Sequence, residues 1–489
     1  MGKKKTGIIV NILIYLYLAL PTLIFIIGWL KWYWAFLFGI LTAFACVRSF
    51  MVPMIDKDFS VTRADLTTFV KALLLILLWV YLSGIGGWCY QNSDHEARSA
   101  IFRALVEYDW PVASYDGSRG LIYYIGFWLP AACVGKIFGL EAGYTAQIIW
   151  AVAGIFIVYY LICVYRKKVE LWPLVFLIFF SGLDYVGTWL LGQKGIDLRS
   201  ATHLEWWAMD FQFTSMTSQL FWVFNQTLPA WVATIMIMMQ KNAKNMLFIL
   251  ALTMLPSTIP FVGLIPIAVY LYGRWIGMDR NRWKEIYTFQ NVVGVFIVGG
   301  CVFLYLIGNI SGARVAQDNA GLVLQEPAAG ALRYLLFYFL EFGVYLYFIY
   351  RYRKKDPLLY VIVFLLLLCP FIKVGSDHDF CMRASVPALF ILMLMGMEAW
   401  ERIRREGSRS LLIGYCIVLM LGGITAFNEI HRSVSETYWR VTYGESVRYP
   451  EYSIENELLR YDNFSGEIEG NLFYRYFAKD VYCIYTGEE

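Results

Sequence analysis

The hydrophobic positions of this chain fall in long continuous runs, and polar residues are concentrated between them. Runs of roughly 17 to 25 apolar residues recur along most of the sequence, and a helix of that length crosses a hydrocarbon core about 30 Å thick. Spanning helices are predicted at 7–28, 32–51, 69–89, 142–165, 169–190, 219–240, 286–308, 331–351, 357–373, 384–400 and 410–427. The pattern therefore predicts an all-α polytopic transmembrane helical bundle of about 11–13 spans.

Two apolar segments do not fit a single crossing. Residues 120–139 are interrupted by Pro130, and residues 245–272 by Pro256 and Pro260. Because proline lacks a backbone donor and ends helices, we expect each segment to form a re-entrant or surface-lying hairpin. Residues 245–272 could instead form two short spans.

Positive charge is concentrated in short stretches between the apolar runs. These stretches are Lys3–Lys5, Arg166–Lys168, Lys241 with Lys244, Arg274–Lys284, Arg351–Lys355 and Arg402–Arg409. Since short basic loops remain on the cytoplasmic side, all six are predicted to be cytoplasmic, together with the N-terminus. The expected location is the plasma membrane, with multiple crossings and an uncleaved first span.

The polar segments then lie on the extracytoplasmic face. They are 90–119, 191–218, 309–330, 374–383 and the tail from 428 onward. This arrangement predicts an N-terminal helical hairpin (1–68), a transmembrane core (69–427) and an extracytoplasmic C-terminal tail or small cap (428–489).

Composition narrows the class of protein further. Only 16% of the residues are charged and 59% are hydrophobic, whereas soluble domains are about 25% charged. A net charge of +4 is too small to indicate a nucleic-acid partner, so membrane lipids are the expected surroundings. The nine cysteines form no CxxC pair and are interpreted as small core residues.

Three of the four histidines stand beside acidic residues in predicted outside segments. They occur in SDHEAR (93–98), THLEWWAMD (202–210) and GSDHDFCMR (375–383), which contain Asp94, His95, His203, Glu205, His378 and Asp379. A carboxylate or imidazole there could act as a general base on a hydroxyl group. Alternatively, Asp94, His95, His378 and Asp379 could hold a divalent cation such as Mg²⁺ or Mn²⁺. No zinc spacing is present, and the residues require no particular cofactor.

Basic side chains accompany these acids. Arg98 and Arg103 follow the first acidic group, Arg383 opens a predicted helix, and Lys373 closes the helix before it. Arginine binds phosphate through two parallel hydrogen bonds, so a lipid phosphate at headgroup depth is a candidate ligand.

Three segments resemble the GT-C superfamily of integral-membrane glycosyltransferases. They are EYDWPVASYDGSRGLIYYIGFWLPAACVGKIFG (107–139), which follows the Asp94 loop, HLEWWAMDFQFTSMTSQLFWVFNQTLP (203–229) and DFCMRASVP (379–387). The last two are similar to segments of bacterial members linked to surface polysaccharides. The resemblance covers roughly residues 69 to 400.

The resemblance implies a specific reaction. A sugar would pass from a polyprenyl-phosphate donor to a glycan, lipid or protein acceptor on the extracytoplasmic face. Asp94 would be the general base, and Arg383 would stabilise the phosphate leaving group with help from Arg103 or Lys373. The residues left to orient the acceptor or hold a metal would be His95, His203, Glu205, His378 and Asp379.

Other functions fit parts of the pattern. A lipid-linked glycan flippase or transporter would use intramembrane acids, for which Asp184 and Glu341 are candidates. A polysaccharide polymerase would rely on outside arginines, with the carboxylates dispensable. An O-acyltransferase would be expected to carry its histidine in a membrane helix.

Overall fold

The computed structural model describes residues 2–54, 59–192, 203–209, 211–309, 321–322, 329–374 and 379–481. It is 75% helical, and the predicted all-α polytopic bundle is confirmed. The helices are α1 (Gly2–Trp29), α2 (Trp32–Phe50), α3 (Arg63–Leu82), α4 (His95–Glu107), α5 (Leu129–Phe138), α6 (Leu140–Arg166), α7 (Trp172–Phe179), α8 (Asp184–Leu190), α9 (Met216–Met239), α10 (Met246–Met254), α11 (Thr258–Met278), α12 (Val295–Ile307), α13 (Ala329–Tyr338), α14 (Val344–Arg353), α15 (Pro357–Leu368), α16 (Asp379–Ala384), α17 (Val386–Glu406), α18 (Arg409–Thr442) and α19 (Leu472–Tyr476).

Short π-helical, 3₁₀-helical and extended segments connect these helices. A π-helical turn, Gln290–Gly294, precedes α12, and another, Phe339–Gly343, joins α13 to α14. Strand β1 (Arg119–Leu121) pairs antiparallel with β4 (Ser465–Glu467), and β2 (Gly321–Leu322) pairs antiparallel with β3 (Ile372–Lys373). The first pair fastens the C-terminal segment to the loop that follows α4.

Ten helical segments in the described part of the chain are long and apolar enough to cross a membrane when α7 is counted with α8, Gln290–Gly294 with α12, and α13 with α14, fewer than the 11–13 spans predicted. Two further predicted spans, at 357–373 and 384–400, correspond to α15 and α17. Helix α15 has only 12 residues, and the last turns of α17 are strongly charged. Both lie within the bundle but fall short of a fully apolar span.

Helix α9 is the centre of the bundle. Its most apolar stretch is 94% buried by protein, against 22% for α2 and for α18. Peripheral helices therefore present apolar side chains outward, while α9 contacts other helices on every side. Burial within protein lets α9 carry amides that lipid would penalise, including Gln219, Asn225 and Gln226.

The two interrupted segments fold differently from each other. Within 120–139, helix α5 has ten residues, about 15 Å, and turns at Gly139 directly into α6. This segment is too short to cross, as expected. Residues 245–272 form α10 and then α11, and α11 is itself a candidate span. The break at 255–257 lies between them, so the segment resembles the two-helix alternative more closely than a surface hairpin.

Five of the predicted basic clusters meet at one end of the bundle. Arg166 contacts Glu401, and Arg351 lies 3.6 Å from Glu406. The Lys244 carbonyl accepts a hydrogen bond from Thr288 at 2.7 Å. Arg274 lines the same cavity as Arg166. The location of these five clusters at one end of the bundle agrees with the charge pattern. That this end faces the cytoplasm stays a prediction.

The opposite end is covered by the C-terminal segment. Helix α18 continues to Thr442, and the chain then returns over α4, where the Tyr452 amide donates to the Glu96 carbonyl. Arg119 reaches Asp462 at 2.5 Å. The boundaries proposed at 68/69 and 427/428 fall inside α3 and α18, because each helix continues past the change in polarity that suggested a boundary.

A close approach between α11 and α16 generates a test of the fold. A Cβ added at Gly263 would collide with the Ala384 backbone carbonyl, whereas a Cβ at Gly273 in the same helix meets nothing within 4 Å. We expect Gly263→Ala to destabilise the protein by about 1–3 kcal/mol through overpacking. Gly273→Ala should be neutral or stabilising by up to about 1 kcal/mol. Thermal unfolding in detergent measures both, and equal effects would contradict the packing.

Candidate active site

The first carboxylate of the site lies at the start of α4. Oδ2 of Asp94 accepts a hydrogen bond at 2.5 Å from Nη2 of Arg98, one helical turn later. Residues four apart share a helix face, so the pair follows from local sequence. Arg98 is 7% exposed, whereas 39% of the Asp94 side chain is exposed. A buried cation thus lies behind an accessible carboxylate.

A second arginine–carboxylate pair approaches the first from α16. Nη2 of Arg383 lies 3.1 Å from Oδ1 of Asp379, and Nη1 donates to the Tyr124 hydroxyl at 2.5 Å. The Tyr123 hydroxyl also donates to Tyr124. Burial lowers the pKa of Arg383, but Asp379, both tyrosines and Asp94 together raise it above its ordinary value. We call Asp94, Arg98, Tyr123, Tyr124, Asp379 and Arg383 the arginine cluster.

Several buried polar atoms in and beside this cluster have no partner among the described residues. They are Nη1 of Arg98, Nε of Arg383, Nε1 of Trp128, Nδ2 of Asn225 and Nε2 of His95. Arg98, Trp128 and His95 all pack against the Phe224 ring, at 5.7, 6.2 and 5.7 Å. Buried polar groups are nearly always paired, so unpartnered atoms collected in one region indicate a polar ligand. All but the His95 nitrogen are donors, which favours an anion.

His95 lies inside the protein, although the sequence placed it in an outside loop as a candidate ligand. It is 2% exposed, and Nδ1 contacts Oδ1 of Asn92 at 3.1 Å. The Asn92 Nδ2 donates to the Phe221 carbonyl, so Oδ1 is the acceptor and Nδ1 carries the proton. Burial, with Arg98 nearby, lowers the pKa of His95 to about 3. The imidazole is therefore neutral and supports Phe224 and the start of α4.

Two predicted phosphate-binding residues lie apart from the arginine cluster. Arg103 is five residues beyond Arg98, which turns it to another face of α4. There Nε binds Glu107 at 2.9 Å, with Glu451 at 3.9 Å. Lys373 lies on β3, paired with Gly321, and has no ion-pair partner within the described ranges. The structure brings Arg98 and Arg383 together and leaves these two elsewhere.

A second group of ionisable residues surrounds His203. Its Nδ1 lies 3.0 Å from Glu429, and its Nε2 lies 3.5 Å from Glu205. Glu429 also accepts from the Trp222 indole at 2.8 Å and binds Arg432. Glu205 accepts from the Ser215 amide at 2.9 Å, which ties it to the start of α9. We call His203, Glu205, Trp222, Glu429 and Arg432 the histidine cluster.

The electrostatics of the histidine cluster favour a protonated imidazole. Burial opposes the charge, but the hydrogen bond and the field of Glu429, with Glu205, raise the pKa of His203 above its ordinary value. Burial raises the pKa of Glu205 to about 7, although the neighbouring His203 acts in the other direction. The cluster therefore changes its proton content near neutral pH.

Glu429, Arg432 and Tyr124 were not among the predicted site residues. In the segment NEIHRS, Glu429 and Arg432 are three residues apart and would share a helix face, and this spacing is the sequence signal from which the pair could have been predicted. The hydropathy pattern places that segment in the extracytoplasmic tail, whereas in the structure it continues α18. Tyr124 had no local signal, because its role depends on contact with Arg383.

The two intramembrane acids form a buried pair beneath the histidine cluster. The Trp207 indole donates to Glu341 at 3.0 Å and lies 3.3 Å from Asp184. Asp184 also accepts from Ser181 at 2.9 Å and from Thr425 at 2.8 Å. Glu341 lies on the π-helical turn between α13 and α14, and its Oε2 has no partner among the described residues. Glu341 thus lies between Trp207 and Asp184 at the start of α8.

The proposed metal ligands do not assemble within the described residues. No group of three His, Cys, Asp or Glu side chains there could hold a metal ion. Asp94 and Asp379 are each paired with arginine, and His95 points to Asn92. His378 lies outside the described residues. The described donor set does not fit a divalent cation, because both carboxylates of the arginine cluster are already paired with arginines.

Comparison of the chain with protein-family models, with curated proteins and with solved structures finds no match.

The histidine cluster predicts a specific pH dependence. A Glu205 pKa raised from 4.5 to about 7 on folding stabilises the protein at low pH, and this stability is lost as pH rises through 7. Because His95 titrates in the opposite sense, the informative quantity is the difference between wild type and Glu205→Gln. We expect the wild-type Tm to fall relative to the variant by roughly 2–4 °C between pH 5 and 8.

Glu436→Gln is the matched control for this measurement. Glu436 is on α18, is 34% exposed and lies 3.6 Å from Arg440. Its Tm should stay parallel to that of wild type over the same range. Parallel curves for Glu205→Gln would contradict the assignment of Glu205 as the titrating group.

Proposed function

We propose that this chain is a membrane glycosyltransferase of the GT-C type. It takes a sugar from a polyprenyl-phosphate donor and transfers it to a glycan, lipid or protein acceptor at the membrane surface. The arginine cluster is the reaction centre in this proposal. The observation that carries the proposal is that Arg98 from α4 and the largely buried Arg383 from α16 both act electrostatically on Tyr123 and Tyr124, and each arginine is paired with an accessible carboxylate.

The arginine cluster suits a phosphate leaving group. Nη1 of Arg98 and Nε of Arg383 are buried donors that have no partner among the described residues, and guanidinium donors bind phosphate oxygens strongly. Asp94 and Asp379 each neutralise one arginine, so the arginines are held in position before a ligand arrives. Positioned cations stabilise charge that develops on a leaving group without reorganising.

Asp94 is the proposed general base. Arg98 binds its Oδ2, and no hydrogen bond within the described residues occupies its Oδ1. In the reaction, the acceptor oxygen bonds to the anomeric carbon while the bond from that carbon to the phosphate oxygen breaks. The acceptor proton passes to Asp94, and the electron pair of the broken bond stays on the phosphate, facing Arg383 and Arg98.

The histidine cluster is proposed to position the acceptor side of the site. The two clusters flank the first turns of α9, where Phe221 bonds Asn92 and the adjacent Trp222 bonds Glu429. His203 is 5% exposed and held from both ring nitrogens, which suits a positioning residue better than a base.

A proton-linked transporter is the second candidate. The observation that favours it is the Asp184–Glu341 pair, which lies between broken or widened helices inside the bundle. Transporters place ionisable residues at such interruptions. The glycosyltransferase proposal makes this pair structural, while the transporter proposal makes it essential.

Substitutions in the arginine cluster test the reaction centre. We expect Arg383→Gln to weaken binding of polyprenyl phosphate at least tenfold, because one charge-assisted phosphate contact is worth about 1.5–3 kcal/mol. Asp94→Asn should leave that binding within about twofold and reduce sugar transfer by roughly 10²-fold or more. Native mass spectrometry measures binding, and a radiolabelled polyprenyl-phosphate sugar reports transfer.

Arg103→Gln is the matched control, since Arg103 is on α4 but outside the arginine cluster. It should bind and transfer as wild type does. Equal losses for Arg103→Gln and Arg383→Gln, or full transfer by Asp94→Asn, would overturn the assigned site.

Glu341→Gln separates the two candidate functions. It keeps the shape of the side chain and an acceptor for the Trp207 indole while removing the titratable proton. We expect sugar transfer at wild-type levels, within about threefold, at pH 6 to 8. Loss of proton-driven lipid movement in proteoliposomes, with no transfer activity in wild type, would favour the transporter.

A further inference from the structure

The basic end of the bundle contains a second charged site, far from the arginine cluster along α17. A cavity of about 790 Å³ opens there among α6, α11, α14, α15 and α17. Its lining has six basic side chains against three carboxylates. Such an excess of positive charge at a helix-bundle end is costly unless an anion neutralises it.

The three lining carboxylates are already occupied by arginines. Glu398 binds Arg353 and accepts from the Tyr165 hydroxyl at 3.0 Å. Asp356 binds Arg353 at 2.6 Å and also accepts from the backbone at the start of α15. Glu401 binds Arg166 and lies 3.3 Å from Arg405. No lining carboxylate remains for the other cations.

Three lining cations lack an acidic partner in the part of the chain that is described. They are Arg274 on α11, Lys355 before α15 and Arg402 on α17. The Arg402 guanidinium lies 5.7 Å from the Tyr352 ring centre, so an aromatic face supports it in place of a carboxylate. These residues approach from three separate elements, so the excess positive charge lines a concave surface.

Arg166 adds a buried donor to the same cavity. Its side chain is 4% exposed and stacks over Trp172 at 4.4 Å. Nη2 is bound to Glu170 and Glu401, whereas Nη1 is buried without a partner among the described residues. A rigid arginine with one free donor is suited to bind an oxygen atom of an anion.

We propose that this cavity binds the phosphate headgroup of an anionic phospholipid. The lining residues stand at the ends of the candidate spans 140–166, 258–278 and 330–353, which is headgroup depth. Apolar side chains next to the cavity along two of its helices face outward, with Val269 63% and Phe364 62% exposed. A headgroup in the cavity therefore has a surface beside it for acyl chains.

Lipid competition measured by native mass spectrometry tests this site. Detergent-purified protein is titrated with phosphatidylglycerol, phosphatidylcholine or inorganic phosphate. We expect phosphatidylglycerol to bind at least about tenfold more tightly than phosphatidylcholine, whose choline is repelled by the excess cations. The Arg274→Gln/Arg402→Gln double variant should lose roughly tenfold or more in phosphatidylglycerol affinity, as two surface charges are removed.

The Arg404→Gln/Arg409→Gln double variant controls for net charge. Both residues are exposed at the same end and do not line the cavity, so affinity should stay within about twofold of wild type. Equal losses in the two double variants, or equal affinity for both lipids, would overturn the proposal. Displacement of phosphatidylglycerol by millimolar inorganic phosphate would identify a free-phosphate site and would also overturn it. The measurement needs no transfer activity, so it is independent of the proposed reaction.

Discussion

The need to neutralise charge inside a low-dielectric bundle is the constraint on which this structure depends. Arg98, Arg383 and Arg432 are largely buried, and each is met by an acid three or four residues away. Removing one partner of such a pair costs about 3–5 kcal/mol, because the remaining charge stays buried. Each pair forms within its own helix, so the helices dock with their charges already matched. The guanidinium atoms that have no partner in the described part of the chain are then available to a ligand.

The same constraint accounts for the character of α9. A central helix surrounded by protein can hold amides and hydroxyls that a lipid-facing helix cannot. Val223 departs from helical geometry, with φ −136° and ψ 33°, next to the aromatic ring that supports the arginine cluster. The Thr227 hydroxyl bonds the Gln219 carbonyl at 3.0 Å across this irregular turn. The polar interior of α9 therefore lies beside both clusters and shapes the gap between them.

Hydropathy was enough to predict most of the bundle, because each span must satisfy its backbone alone. The Asp94–Arg98 pair could also be predicted from the sequence, since residues four apart meet on one face of a helix. The position of Arg103 followed from the same periodicity, yet proximity in sequence suggested a shared site. His95 was misplaced because a polar stretch was assumed to be solvated throughout. The approach of Arg383 to the Asp94–Arg98 pair depends on the contact between α16 and Tyr124, which no local pattern encodes.

Helix α18 has a consequence for where chemistry occurs relative to the bilayer. Its 34 residues give a rod about 51 Å long, while the hydrocarbon core is about 30 Å thick. It begins at the basic end of the bundle, and Glu429 and Arg432 in the histidine cluster lie 20 and 23 residues along it, roughly 30–35 Å from that end. The helix thus fixes the distance of the histidine cluster from the basic end of the bundle. A thicker or thinner bilayer would have to deform around α18, so the site is coupled to membrane thickness.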